Sequence, residues 1–204
     1  MKMLRTIPLA ALLSACAASA SQADEHRQLG AHVHGHGKLN IAVEKNVLAI
    51  ELEAPGADIV GFEHEAATAE DKTKLEKAKA TLEKGLELFT PDSAAGCKQT
   101  SVKVALEAEH EDEAEGKGKE EHAAKAKDQK DDHDHEEGEH HHSEFHVEYA
   151  FECAAPDKIT NLTFGYFKAF PNAQELDVSV IAPKGQSSYE VKKDKPKLEL
   201  KGVM

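Results

Sequence analysis

An α+β fold is predicted for this chain: an antiparallel β-sheet with one long amphipathic helix, one short helix and a disordered insertion. Three observations carry that prediction. Apolar and polar residues alternate in several segments of strand length. One stripe of apolar residues at spacings of three and four follows Thr68. Residues 107–144 hold 16 acidic residues, five Lys and seven His, with Ala as the only apolar side chain. At 204 residues the chain fits one domain of ordinary size.

The N-terminus reads as a targeting segment rather than part of the fold. MKMLR supplies positive charge, IPLAALL is a short apolar run, and small residues follow. Ala18-Ser19-Ala20 and Ser21-Gln22-Ala23 both fit a small-x-small cleavage pattern, whereas Leu13-Ser14-Ala15-Cys16 resembles a lipobox. The expected organisation is therefore a signal peptide over residues 1–23, or a lipoprotein signal ending at Cys16, ahead of a single domain over residues 24–204. Both routes export the protein, so the expected location is the periplasm, free or lipid-anchored and facing it. Cleavage after Ala23 would leave Asp24-Glu25-His26 as a new N-terminus, a pattern able to bind square-planar Cu(II) or Ni(II).

The elements of the domain follow in order. Leu39, Ile41 and Val43 alternate with polar residues, and so do Leu48, Ile50 and Leu52 beyond a short polar break, which predicts a hairpin with one buried face. Leu75, Ala78, Leu82, Leu86 and Phe89 form the helical stripe, closed by Pro91; core packing is its whole explanation. Val102, Val104 and Leu106 then predict one strand, and Phe145, Val147, Tyr149 and Phe151 another. Between them the 107–144 insertion cannot bury enough apolar surface to offset its ordering entropy, which predicts disorder. Leu162, Phe164, Phe167 and Phe170 before Pro171 predict the short helix. Leu176, Val178 and Val180 predict a further strand, and a last strand region follows from Tyr189 to Leu200. No Phe or Tyr lies between Phe89 and Phe145, so the core must draw on both ends of the chain and skip the middle.

Two cysteines, Cys97 and Cys153, remain after processing or lipidation of Cys16. In an oxidising compartment a disulfide is the simplest reading, with free thiols or thiolate metal ligands as the alternatives. A bridge closing so long a loop would contribute about 3–4 kcal/mol on the chain-entropy picture.

Charge narrows the partners. With 25 Lys+Arg against 38 Asp+Glu, the net charge is −13. Such a chain repels phosphate backbones and anionic lipid, so no nucleic-acid partner is expected, and membrane contact only through lipidation at Cys16. Divalent cations are the natural counterpart. His32-Val33-His34-Gly35-His36 would, if extended, place three imidazoles on one face about 6.6–6.8 Å apart, with Gly35 and Gly37 removing bulk. The plain alternative is a polar surface strand. His64 joins them as a candidate only if the fold brings it beside His32 and His34; alone it reads as a helix-end residue. The insertion adds His133, His135, His140, His141 and His142, with His146 on the following strand. Neutral imidazole among carboxylates suits Zn2+ and other divalent transition metals. Methionine occurs only at Met1, Met3 and Met204, which argues against a thioether Cu(I) site. The unstructured insertion should bind ions weakly and exchange them quickly, whereas a site on strands is preorganised.

AHVHG followed by KLNIAVE, then APGADIVGFEH, a helix, a Cys, a His/Asp/Glu-rich insertion and a second Cys resemble the ZrgA-type periplasmic zinc-uptake proteins. The resemblance implies a zinc-binding protein acting beside an ABC-type zinc import system, with His32, His34 and His64 at the matching motif positions. His36 is extra to the HVHG core. The leading expectation is a non-enzymatic protein that captures or buffers Zn2+ for import. A copper- or nickel-binding resistance protein uses the same residues. A zinc hydrolase would need three ligands, an open position and a general acid or base, and no HExxH or comparable motif is present.

Overall fold

The computed structural model describes residues 33–109 and 142–204. The expected signal segment, the Cys16 lipobox, His32, His133, His135, His140 and His141 lie outside the described residues.

Alternation sets the largest element. Strand β1 (His36–Glu44) and strand β2 (Val47–Pro55) form the expected hairpin, with Leu39 opposite Leu52, Ile41 opposite Ile50 and Val43 opposite Leu48. All six are buried, so one face of the hairpin is core and the other is polar. The chain then makes the one-turn helix α1 (Gly56–Ile59) and the 14-residue helix α2 (Ala69–Leu82). Thr68 caps α2 in a capping box: its hydroxyl accepts from the Asp71 N–H, and the Asp71 carboxylate accepts from the Thr68 N–H. Of the expected stripe only Ala78 and Leu82 are buried within α2, with Leu75 packed at the margin.

The stripe does not continue as helix. Leu86 and Phe89 belong instead to the one-turn helix α3 (Gly85–Leu88) and the short strand β3 (Phe89–Pro91). Gly85 is the reason. Its N–H donates to Gln99 Oε1 at 2.8 Å, and a Cβ there would lie 2.6 Å from the Tyr149 ring, so the backbone must pass closer to the sheet than a continuing helix allows.

Strand β4 (Cys97–Glu109) and strand β5 (His142–Cys153) pair antiparallel from Cys97 opposite Cys153 to Glu109 opposite His142. They are longer than the alternation of apolar residues suggested, and both cut into the stretch expected to be disordered. Phe145, Val147, Tyr149 and Phe151 are buried as expected. Val102 and Val104 are only partly so, and Leu106 is 38% exposed, because β4 is an edge strand. A Cys97–Cys153 disulfide joins the far ends of the pair.

The C-terminal part departs from the sequence reading at one place. The segment expected to be a short helix splits into strand β6 (Asn161–Phe164) and the one-turn helix α4 (Tyr166–Ala169). Leu162 and Phe164 sit two apart, which serves a strand, and pairing with β3 uses that period. Strands β7 (Glu175–Ala182), β8 (Gly185–Lys192) and β9 (Lys197–Glu199) complete the chain.

Six strands form one sheet in the order β4-β5-β2-β1-β7-β8, and β3-β6-β9 form a second. The larger sheet is mixed rather than purely antiparallel, because β7 runs parallel to β1. A parallel neighbour needs a long crossover, and here more than a hundred residues separate the two strands. Phe89 lies at the heart of the core, with ring centroids 5.7 Å from Tyr149, 5.8 Å from Phe164 and 6.0 Å from Tyr166. The Tyr149 hydroxyl donates to the Leu82 carbonyl at 2.8 Å, tying the end of α2 to the sheet. The fold is therefore mostly strand, with one helix of ordinary length.

Candidate metal centre at the sheet rim

Residues Val33 to His36 form a turn, not the extended run that would align three imidazoles on one face. The His36 N–H donates to the Val33 carbonyl at 3.0 Å, and Gly35 has φ of +88°, the left-handed value a type II turn demands at its third position. Both backbone groups of Gly35 are held. Its N–H donates to Asp58 Oδ1 at 2.7 Å, and its carbonyl accepts from the N–H groups of Gln174 and Glu175 at 2.8 and 2.9 Å. Asp58 sits on α1 and is 3% exposed. Burial pushes its carboxyl above the usual range; the Gly35 N–H and the nearby His34 and His36 work against that, and Glu63 adds to it. Asp58 thus joins the HVHG motif to the PGADIVGFEH motif and holds the backbone turn that carries His34.

Glu63 completes the arrangement. The left-handed Gly61 (φ +86°) turns the chain out of α1 and brings the Glu63 carboxylate to the rim, where its side chain is only 13% exposed. One oxygen, Oε1, lies 3.0 Å from His34 Nε2, and the other, Oε2, lies 3.1 Å from His142 Nδ1. A single carboxylate therefore gathers the first motif, the second motif and the first residue of β5.

The other candidates fall elsewhere. His64 stacks on Phe62 at 4.6 Å and lies 3.6 Å from Asp71 Oδ2, at the start of α2. Its neighbour Glu63, not His64, reaches His34. Thr68 holds the Asp71 carboxyl below its usual range, with His64 contributing less. His36 is the exposed first residue of β1 and makes no ion pair among the described residues. His146 lies further along β5, 2.9 Å from Glu144 and 3.6 Å from Glu107.

Sequence reasoning missed Glu63 and Asp58, because two acids among 38 carry no signal by type. Their place within the GADIVGFEH motif was the available clue.

The donor chemistry fits a divalent transition metal: two imidazoles and a carboxylate are common Zn2+ ligands. The polar atoms also have capacity to spare. Asp58 Oδ2 is buried and accepts no hydrogen bond, and the His34 approach to Glu63 Oε1 lacks hydrogen-bond alignment. Among the described residues, only Glu175, Asp177 and Glu190 have three donor atoms all within 4.8 Å of one another. Two of those carboxylates share Lys192, at 3.1 Å from Glu175 and 3.6 Å from Glu190, an ion-pair cluster on the sheet surface. Closing the rim around an ion requires a side-chain shift. His34, 63% exposed, is free to make one.

These features define a class, a small α+β domain that concentrates imidazole and carboxylate donors at one rim of its main sheet. Within it, the chain belongs to the ZrgA family of zinc uptake proteins, whose family description (ZrgA family zinc uptake protein) matches residues 31–200. Membership assigns the chain a role in zinc uptake, in a family of uptake proteins rather than of enzymes. No curated protein matches the chain.

Proposed function

We propose that this protein is exported to the periplasm, captures or buffers Zn2+ there, and supports its import through an ABC-type transport system. The observation that carries the reading is Glu63, shared at 3.0 and 3.1 Å by His34 and His142. His142 follows directly on the His- and acid-rich stretch of the sequence, so the same strand that leaves the collector begins at the rim. In this reading the stretch over residues 110–141, with His133, His135, His140 and His141, raises the local cation concentration and exchanges ions quickly. The rim then holds one ion more tightly, on a scaffold whose backbone Asp58 has already set. His32 is adjacent to the turn in sequence and is a further donor in the proposal. His36 and His64 flank it as secondary donors.

Metal binding requires neutral imidazoles, so zinc affinity should fall as acid protonates them. The direct test is calorimetric zinc titration of the full chain against its His34→Ala/His142→Ala variant. Loss of the tightest class of sites supports the rim, and an unchanged tight class refutes it. Copper or nickel would find the same donors. Competition between metals under matched free-ion buffering decides between those cargoes.

A further inference from the structure

We propose that the open edge of β4 is an interface between two copies of this chain. The two β4 strands pair antiparallel about a two-fold axis at Ala105, and the two six-stranded sheets join into one.

β4 ends the larger sheet on one side, and β5 is its one strand neighbour among the described residues. The outer N–H and C=O groups of such a strand are a template for another strand. Near the disulfide the template is spoiled by a bulge between Gln99 and Ser101, which bends the strand. From Ser101 to Glu109 the ladder to β5 is regular, so the outer edge there is straight and open. The core-side residues of that run are apolar and half covered: Val102 and Val104 are partly buried, and Leu106 is 38% exposed. A groove of about 570 Å³ continues the uncovered strip from Leu106 to Val60, Phe62 and Leu75. The opposite edge, β8, is polar along most of its length and buries only Val191.

The plain alternative is that Lys103 and Glu107 guard this edge by keeping other strands away. A charge guards an edge when it meets nothing of opposite sign. These two, four apart on the solvent face of one strand, are complementary to themselves. A two-fold interface is isologous, so whatever residue i meets on its partner, that residue meets i in return. With Ala105 opposite the partner's Ala105, Lys103 stands opposite the partner's Glu107, and the same pair recurs on the other side of the axis. Val104 stands opposite the partner's Leu106, also twice. The whole run from Ser101 to Glu109 is then paired end to end.

Other registers that keep the apolar residues on one face do worse, and a slip that flips the faces is excluded. Centring on Lys103 sets two ammonium groups face to face. Centring on Val104 sets Lys103 against the partner's Ala105 and Glu107 against the partner's Ser101. Centring on Leu106 sets Glu107 against the partner's Ala105 and shortens the ladder. Both charged side chains have room to bridge, at 72% and 55% exposed. Lys103 Nζ already lies 3.3 Å from Glu148 on the β5 side, so it would sit between two carboxylates. The interface rests on none of the rim's ligands.

The test is sedimentation velocity of the full chain over a concentration series, with a chelator present so that no metal bridges two copies. Wild type should dimerise. Lys103→Glu and Glu107→Lys each turn both cross-strand ion pairs into like-charge contacts. Each should raise the dimer dissociation constant by at least about tenfold. An equimolar mixture of the two variants should dimerise about as well as wild type, because the acids of one chain then face the lysines of the other. Misfolded variants could not recover in this way. A wild-type chain that stays monomeric overturns the proposal and leaves the edge to another segment or another protein. A dimer that neither substitution weakens overturns it as well, and so does a mixture that stays as dissociated as its components.

Discussion

Asp58 and Asp92 are the same residue type used in opposite ways at opposite ends of the main sheet. Asp92 Oδ2 accepts from the Thr160 N–H, the Thr160 hydroxyl and the Asn161 N–H at 2.8, 2.7 and 2.9 Å, and so pins β6 beside the end of β3. Those bonds hold its carboxyl below the usual range. Asp58 gives one oxygen to the Gly35 N–H and leaves the other without a hydrogen bond, and burial holds its carboxyl above the usual range. One end of the molecule, which also carries the disulfide, has its polar groups satisfied. The other spends stability to hold a turn in place. Departures of that kind from full satisfaction concentrate at functional sites.

Three perturbations sharpen the contrast, in decreasing order of size. Reducing Cys97–Cys153, which spans 56 positions in sequence, should lower unfolding free energy by about 3–4 kcal/mol in urea titrations. Tight zinc binding should survive, because the rim lies at the other end of β5. Asp92→Asn should come next, at about 1–3 kcal/mol, since it weakens hydrogen bonds to a charged acceptor. Its sign with pH follows from the lowered carboxyl: the contribution is fully present above the unfolded value near 3.8 and is lost as pH falls through the lower folded one. Urea midpoints of wild type and variant should therefore converge in acid. Asp58→Asn should be smallest and opposite in sign. It keeps an acceptor for Gly35 while removing a charge that burial disfavours, so stability at pH 7 should hold or rise by up to about 1 kcal/mol. A loss as large as that of Asp92→Asn would break the comparison.

The sequence made some of this legible and concealed the rest for identifiable reasons. Alternation gave the hairpin and β5, because a sheet covered on one face imposes period two on every strand it buries. It could not give the parallel pairing of β1 with β7, which depends on a contact across most of the chain. The stripe through Leu86 and Phe89 misled because its spacing carries no sign of the break at Gly85, which close approach to Tyr149 and Gln99 imposes. At the rim, His34 and His142 were visible by type. The turn at Gly35 was not, since it depends on Asp58, 23 residues away. Glu63 was hidden in a sequence crowded with acids.

The central claim is that the folded rim, not the His-rich stretch, holds the tight zinc ion. Glu109 and His142 face each other across the β4–β5 ladder, so residues 110–141 can be replaced by a two-residue Asn-Gly turn without disturbing either strand. Zinc calorimetry on that variant tests the claim most directly. The account predicts that many weak sites disappear, one tight site remains, and His34→Ala in the same background removes it. Loss of all tight binding on deleting residues 110–141, with the domain still folded, would contradict it.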